Sequence, residues 1–151
     1  MNKQFKDKTT KKTYWAILEN KPKKDTNTLV HFLKKNEKQN KSYVVEKSTK
    51  GAKEAVLTYT LIASSDRFHL AEIHLETGRH HQIRAQFSSM GCCVKGDLKY
   101  GAKRSNKDGS ICLHSRVLEF SHPTTQQRIS VRAPIPKNTY WQLFKELEKS
   151  S

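Results

Sequence analysis

Residues 68–91 read FHLAEIHLETGRHHQIRAQFSSMG, and this stretch decides the fold class. Ala71, Ile73 and Leu75 alternate with Glu72, His74 and Glu76, the period of a half-buried strand. Thr77-Gly78 then breaks the alternation, and Thr77 is placed to cap a helix running from Arg79 to Met90. Ile83, Phe87 and Met90 recur at helical spacing and form an apolar stripe. Gly91 is the expected stop.

The same pattern rules extend the reading in both directions. Thr13–Leu18 is apolar on both faces, as in a strand buried on both sides. Leu29–Leu33, Ser42–Glu46 and Ala55–Ile62 are further strand candidates, with Lys34–Lys41 a polar connection. Ile111–Phe120 and Arg128–Ala133 complete the strands, and Asn138 is placed to cap a last helix, Thr139–Lys149. The expectation is a single α+β domain over 1–151, a mostly antiparallel sheet with two or three helices.

Composition narrows the partner. Twenty-nine Lys and Arg face 14 Asp and Glu, a formal charge of +15, the footprint of a protein that meets a polyanion. No apolar run approaches the roughly 20 residues of a spanning helix, and Met1–Lys12 has no apolar signal core. A cytoplasmic protein without membrane contact is expected. Cys92, Cys93 and Cys112 are odd in number and lack Cys-x-x-Cys spacing, so neither a disulfide framework nor a metal site is expected.

Three segments gather chemistry. Lys11-Lys12-Thr13-Tyr14 puts two cations and a phenol at a strand start. Gly78-Arg79-His80-His81-Gln82-Ile83-Arg84 puts donors where a helix N-terminus favours anions. Gly91–Gly101 is a glycine-punctuated loop carrying Lys95, Asp97, Lys99 and Tyr100. Arg84 lies about 100° around the helix from Ile83, at the edge of the apolar stripe. There its stem packs and its head suits either a fixed carboxylate pair or plain solvent. Every aspartate, Asp97 included, lies in polar or loop sequence.

Gly78–Arg84 with Gly91, Gly96-Asp97 and Tyr100-Gly101 resembles the late motif of the RluA-type RNA pseudouridine synthases. Leu113-His114-Ser115 with His122-Pro123 resembles the segment that follows it, and Lys11–Ala16 resembles the family's tyrosine motif. The resemblance runs from about Phe5 to Ala133, the C-terminal part of the family's catalytic domain. It implies isomerisation of uridine to pseudouridine in structured rRNA or tRNA, without metal or cofactor. It implies Tyr14 as the active-site tyrosine, Arg84 as the partner of a catalytic aspartate, and Leu113 in the base pocket. Lys11, Lys12, Arg79, His80, His81, Gln82, Lys95 and Lys99 are the expected RNA contacts.

The family's catalytic aspartate sits in a His-Arg-Leu-Asp type motif upstream of the tyrosine, and no such run occurs here. Asp7, between Lys6 and Lys8, is no substitute. Two expectations follow: the chain does not isomerise uridine by itself, and Arg84 faces solvent or a bound anion. The alternative is an RNA-binding module of the same descent without catalysis. A DNA-binding domain has no helix-turn-helix or zinc signature in its favour.

Overall fold

A computed structural model describes residues 11–106, 109–121, 128–133 and 141. Among these, seven strands form one antiparallel sheet: β1 (Lys11–Leu18), β2 (Thr26–Asn36), β3 (Lys41–Val45), β4 (Lys53–Ser64), β5 (His69–Leu75), β6 (Leu113–Ser121) and β7 (Arg128–Arg132). Their spatial order is β3-β2-β4-β5-β1-β6-β7. One α-helix, α1 (Gln82–Ser89), and a 3₁₀ turn, Leu98–Tyr100, complete the described elements.

Alternation sorts the strand residues onto two faces. On one face Ala16, Leu18, Leu57, Tyr59, Ala71 and Ile73 pack against Ile83 and Phe87 of α1. On the other, Trp15, Ile17 and Leu70 pack with Cys112 and Trp141. β1 is therefore buried on both sides, as its composition requires. The apolar stripe of α1 lies on the sheet as expected, with Met90 packed beside it.

The helix is shorter than the sequence leads one to expect, and it begins differently. His81 is its N-cap, in the left-handed region at φ 50°. Thr77 instead serves the sheet: its hydroxyl accepts from the Val56 amide at 2.9 Å and donates to Gln82 Oε1 at 2.8 Å. Gln82 Oε1 also accepts from the Arg79 amide, and its Nε2 donates to the Val56 carbonyl. Residues 77–79 are thus tied back onto β4 and have no freedom to wind into the helix. The expected last helix lies outside the described residues apart from Trp141, which is buried.

Candidate functional site

Arg84 projects from α1 onto the turn that follows Val94. Its Nε donates to Asp97 Oδ2 at 2.9 Å and its Nη2 to Asp97 Oδ1 at 2.8 Å, a two-pronged pair. Asp97 is 1% exposed, and the guanidinium lies 4.9 Å from the centre of the Tyr100 ring. The expectation that Arg84 faces solvent or a bound anion is overturned, because a carboxylate of the same chain already occupies its fork. Asp97 is likewise no ordinary loop residue. The turn folds it inward, with the Asp97 amide on the Val94 carbonyl and the Ala102 amide on the Asp97 carbonyl.

The third guanidinium nitrogen fixes a tautomer. Arg84 Nη1 stands 3.1 Å from His81 Nε2. A guanidinium only donates, so Nε2 is bare and the proton of neutral His81 sits on Nδ1. That proton points to Tyr100 Oη at 2.9 Å, which also accepts from the Ser42 amide at 2.9 Å. Burial, followed by the neighbouring Arg84, lowers the His81 pKa to about 4, in keeping with a ring that receives a hydrogen bond from a cation.

His80 stacks on His81 at 3.8 Å between ring centres. It bonds Ser42 Oγ through Nδ1 and Asn40 Oδ1 through Nε2, and burial lowers its pKa as well. The hairpin between β2 and β3 is thereby clasped to the start of α1. The short helix carries no charge cluster of its own beyond Arg84. The cations beside it come from this hairpin and from the strand that follows.

A cleft of about 380 Å³ opens there, lined by Lys34, Lys35, Lys53, Ser42, Arg79 and His80. Arg79 and Lys99 are exposed, and Arg79 Nε is steadied on the Glu54 carbonyl. Lys11 is exposed, and Lys12, His80 and His81 are half-buried. Two of the expected contacts turn inward. Gln82 is buried and spent on the 77–79 loop. Lys95 is 6% exposed, with its ammonium on Asn106 Oδ1 at 3.1 Å. Sequence reasoning missed Lys34, Lys35 and Lys53, which looked like loop solvation, and gave Asp97 no role, although Gly96-Asp97 belongs to the motif that carries the resemblance.

Tyr14 and Leu113 stand together on β1 and β6. Tyr14 is paired in register with Ser115, and Ala16 with Leu113. Both side chains are partly buried against the face that carries α1. Burial raises the Tyr14 phenol above its ordinary pKa, and a hydrogen bond with Ser115 opposes this in part. The structure thus gathers the expected residues into two groups on one face of the sheet. Tyr14 and Leu113 lie on β1 and β6, while Arg84, His80 and His81 lie where α1 meets β2 and β3. Among the described residues no three metal-ligating side chains converge, and no helix is long and apolar enough to cross a membrane.

A family model described as RNA pseudouridylate synthase matches residues 1–89, which include both Tyr14 and Arg84. The chain belongs to the RNA pseudouridylate synthase family. It is 31% identical over 147 residues to the uncharacterized RNA pseudouridine synthase YlyB of Bacillus subtilis, covering 97% of this chain and 47% of that protein. It is 33% identical over 141 residues to YhcT of the same organism, covering 90% and 44%. The chain thus spans about half the length of these relatives. The solved structure of human RNA Pseudouridylate Synthase Domain Containing 4 superimposes with a TM-score of 0.74 at 19% identity, covering 99% of this chain and 64% of that one. Human RNA Pseudouridylate Synthase Domain Containing 1 gives 0.70 at 20%, covering 99% and 70%. These two likenesses bear on the fold. The chain therefore carries part of the family's catalytic domain.

Proposed function

We propose that this chain is the C-terminal portion of a synthase that isomerises uridine to pseudouridine in structured ribosomal or transfer RNA. On its own it binds such RNA without turning it over. The observation that carries this reading is the Tyr14 environment. A half-buried phenol stands beside Leu113 on an apolar sheet face, and cationic side chains line the other end of that face. An apolar wall with a phenol receives a flipped base, and the cations hold the backbone from which it was flipped.

In this reading Tyr14 packs against the uracil ring and assists proton transfer. A phenol is protonated at neutral pH in any case, and burial moves Tyr14 further in that direction. Lys11, Lys12, Arg79, His80 and Lys99 meet phosphate. The nucleophilic carboxylate comes from a His-Arg-Leu-Asp type motif that this sequence does not contain. RNA carrying uridine tritiated at C5 provides the test. This chain alone is expected to bind the RNA and release no tritium. Release at a rate above buffer would overturn the division of labour.

One observation favours the alternative, an RNA-binding module without chemistry. The arginine that the resemblance pairs with a catalytic aspartate is already held by Asp97 from two sides. If adding the upstream part of a family member still yields no tritium release while binding persists, the binding module is the better description.

A further inference from the structure

Among the described residues, nothing covers one end of the sheet on the face opposite α1. There Val30 is 54% exposed and Tyr43 is 39% exposed. Register places Phe32 across from Val45, Lys34 across from Tyr43, and Val30 across from Val56. Because side chains alternate along a strand, Val30, Phe32, Lys34, Tyr43 and Val45 share this outer face. At the β1 end, Trp15, Ile17 and Trp141 fill the same face. At the β2–β3 end none of the described residues covers it, and β3 is an edge strand.

Lysines frame the bare patch. Lys41 Nζ lies 5.0 Å from the centre of the Tyr43 ring and 5.2 Å from that of Tyr100. Lys47 Nζ lies 6.0 Å from the centre of the Phe32 ring. A groove of about 550 Å³ runs between Lys34, Lys35, Lys38, Tyr43 and Val45. The Tyr43 hydroxyl donates to Gln39 Oε1, which steadies the ring at the groove. Residues 34–53 carry seven lysines and two glutamates.

We propose that this outer face of the β2–β3 hairpin is a second RNA contact, one that stacks unpaired bases on Tyr43 and Phe32 and holds the adjoining phosphates with Lys34, Lys38, Lys41 and Lys47. The exposed Tyr43 ring, with the half-buried Phe32 ring beside it and flanking cations, offers what unpaired nucleotides need: a π-face for a base and positive charge for the phosphates. A second copy of this chain is the poorer occupant, since it would bring an equally positive patch against this one. The surface lies on the far side of the sheet from Tyr14, so it reads RNA beyond the target uridine. It rests on the proposed RNA function and adds to that function a preference for unpaired flanking nucleotides.

The test is fluorescence anisotropy on the full chain, with two probes matched in phosphate number: an RNA hairpin with an unpaired loop and a fully paired RNA duplex. Tyr43→Leu is expected to weaken hairpin binding roughly tenfold, the value of one stacked base, and to leave duplex binding unchanged. Tyr43→Phe, which keeps the ring and loses the Gln39 bond, should bind like the parent. Lys38→Gln, an exposed change with little bearing on folding, should lower the salt slope on the hairpin by about one.

Tyr43→Leu binding the hairpin as the parent does, while Arg79→Ala weakens it, would overturn this surface and leave the RNA function standing. Parent protein that binds neither probe would overturn both. A parent dimer that Tyr43→Leu dissolves in sedimentation would make the patch a self-interface and overturn the proposal.

Discussion

Arg84 and Asp97 form the most constrained pair in the described structure. With Asp97 1% exposed and both carboxylate oxygens engaged, removing one partner strands the other's charge. Asp97→Asn is expected to destabilise the chain by about 3 kcal/mol, in the range for breaking a buried pair from one side. Urea unfolding followed by tryptophan fluorescence would measure it. Arg84→Lys should lose part of the same stability, because an ammonium cannot reproduce the planar fork.

His81 adds a pH dependence. Its pKa falls from the ordinary 6.5 to about 4 in the folded chain. Between those values the unfolded chain holds a proton that the folded chain lacks, so stability rises with pH across the window. Acidification from pH 7 toward pH 4 should therefore lower the melting temperature, and His81→Asn should flatten that dependence. Burial depresses His31, His69 and His80 in the same direction, so a slope remains in the variant. An unchanged slope in His81→Asn would mean that neither burial nor Arg84 depresses the ring in the folded chain. At this scale the sequence was half legible. Arg84's position at the edge of an apolar stripe could be read from spacing. Its partner could not, because Asp97 sits in a Gly-Asp-Leu-Lys run in which Leu98 and Lys99 stay exposed, and Asp97 alone among its side chains turns inward to meet Arg84.

Among the elements, the strands were the more readable. Side-chain patterning located them to within a few residues, because a strand with one covered face alternates with a period of two, while β1, covered on both faces, shows a continuous apolar run. The start of α1 was misread. Thr77 has the chemistry of a cap, yet Val56 and Gln82 claim its hydroxyl, and strand β4 is not adjacent to Thr77 in sequence.

The turn after α1 offers a test of how tightly an element is built. Gly96 has φ +87°, and a Cβ there would stand 2.8 Å from Asn106 Nδ2 and from the Ser110 carbonyl. Gly91 has φ +76° and open space around it. Gly91→Ala is expected to cost about 1–2 kcal/mol, the penalty of a left-handed alanine. Gly96→Ala should cost that penalty and a further 1–3 kcal/mol of overpacking, because a backbone carbonyl cannot give way. Thermal melts of the two variants side by side would show the ordering. Equal losses would mean that Asn106 and Ser110 yield at little cost.

For the molecule as a whole, the formal charge of +15 predicts a polyanionic partner but not which cations meet it. The structure divides them. Lys99 and Arg79 are exposed, whereas the Lys95 ammonium is drawn onto Asn106 inside the fold. Each cation that neutralises a phosphate releases counterions, so the dependence of log K on log salt counts contacts rather than charges. Lys99→Gln and Arg79→Ala are each expected to lower that slope by about one. Lys95→Met should leave the slope unchanged and appear instead as lost stability, since it orphans the Asn106 acceptor. Binding isotherms at several salt concentrations, with unfolding curves for the same variants, separate the two effects. A reduced slope in Lys95→Met with unaltered stability would mean that the side chain swings outward to meet RNA, and the inward lysine would then belong to the binding surface after all.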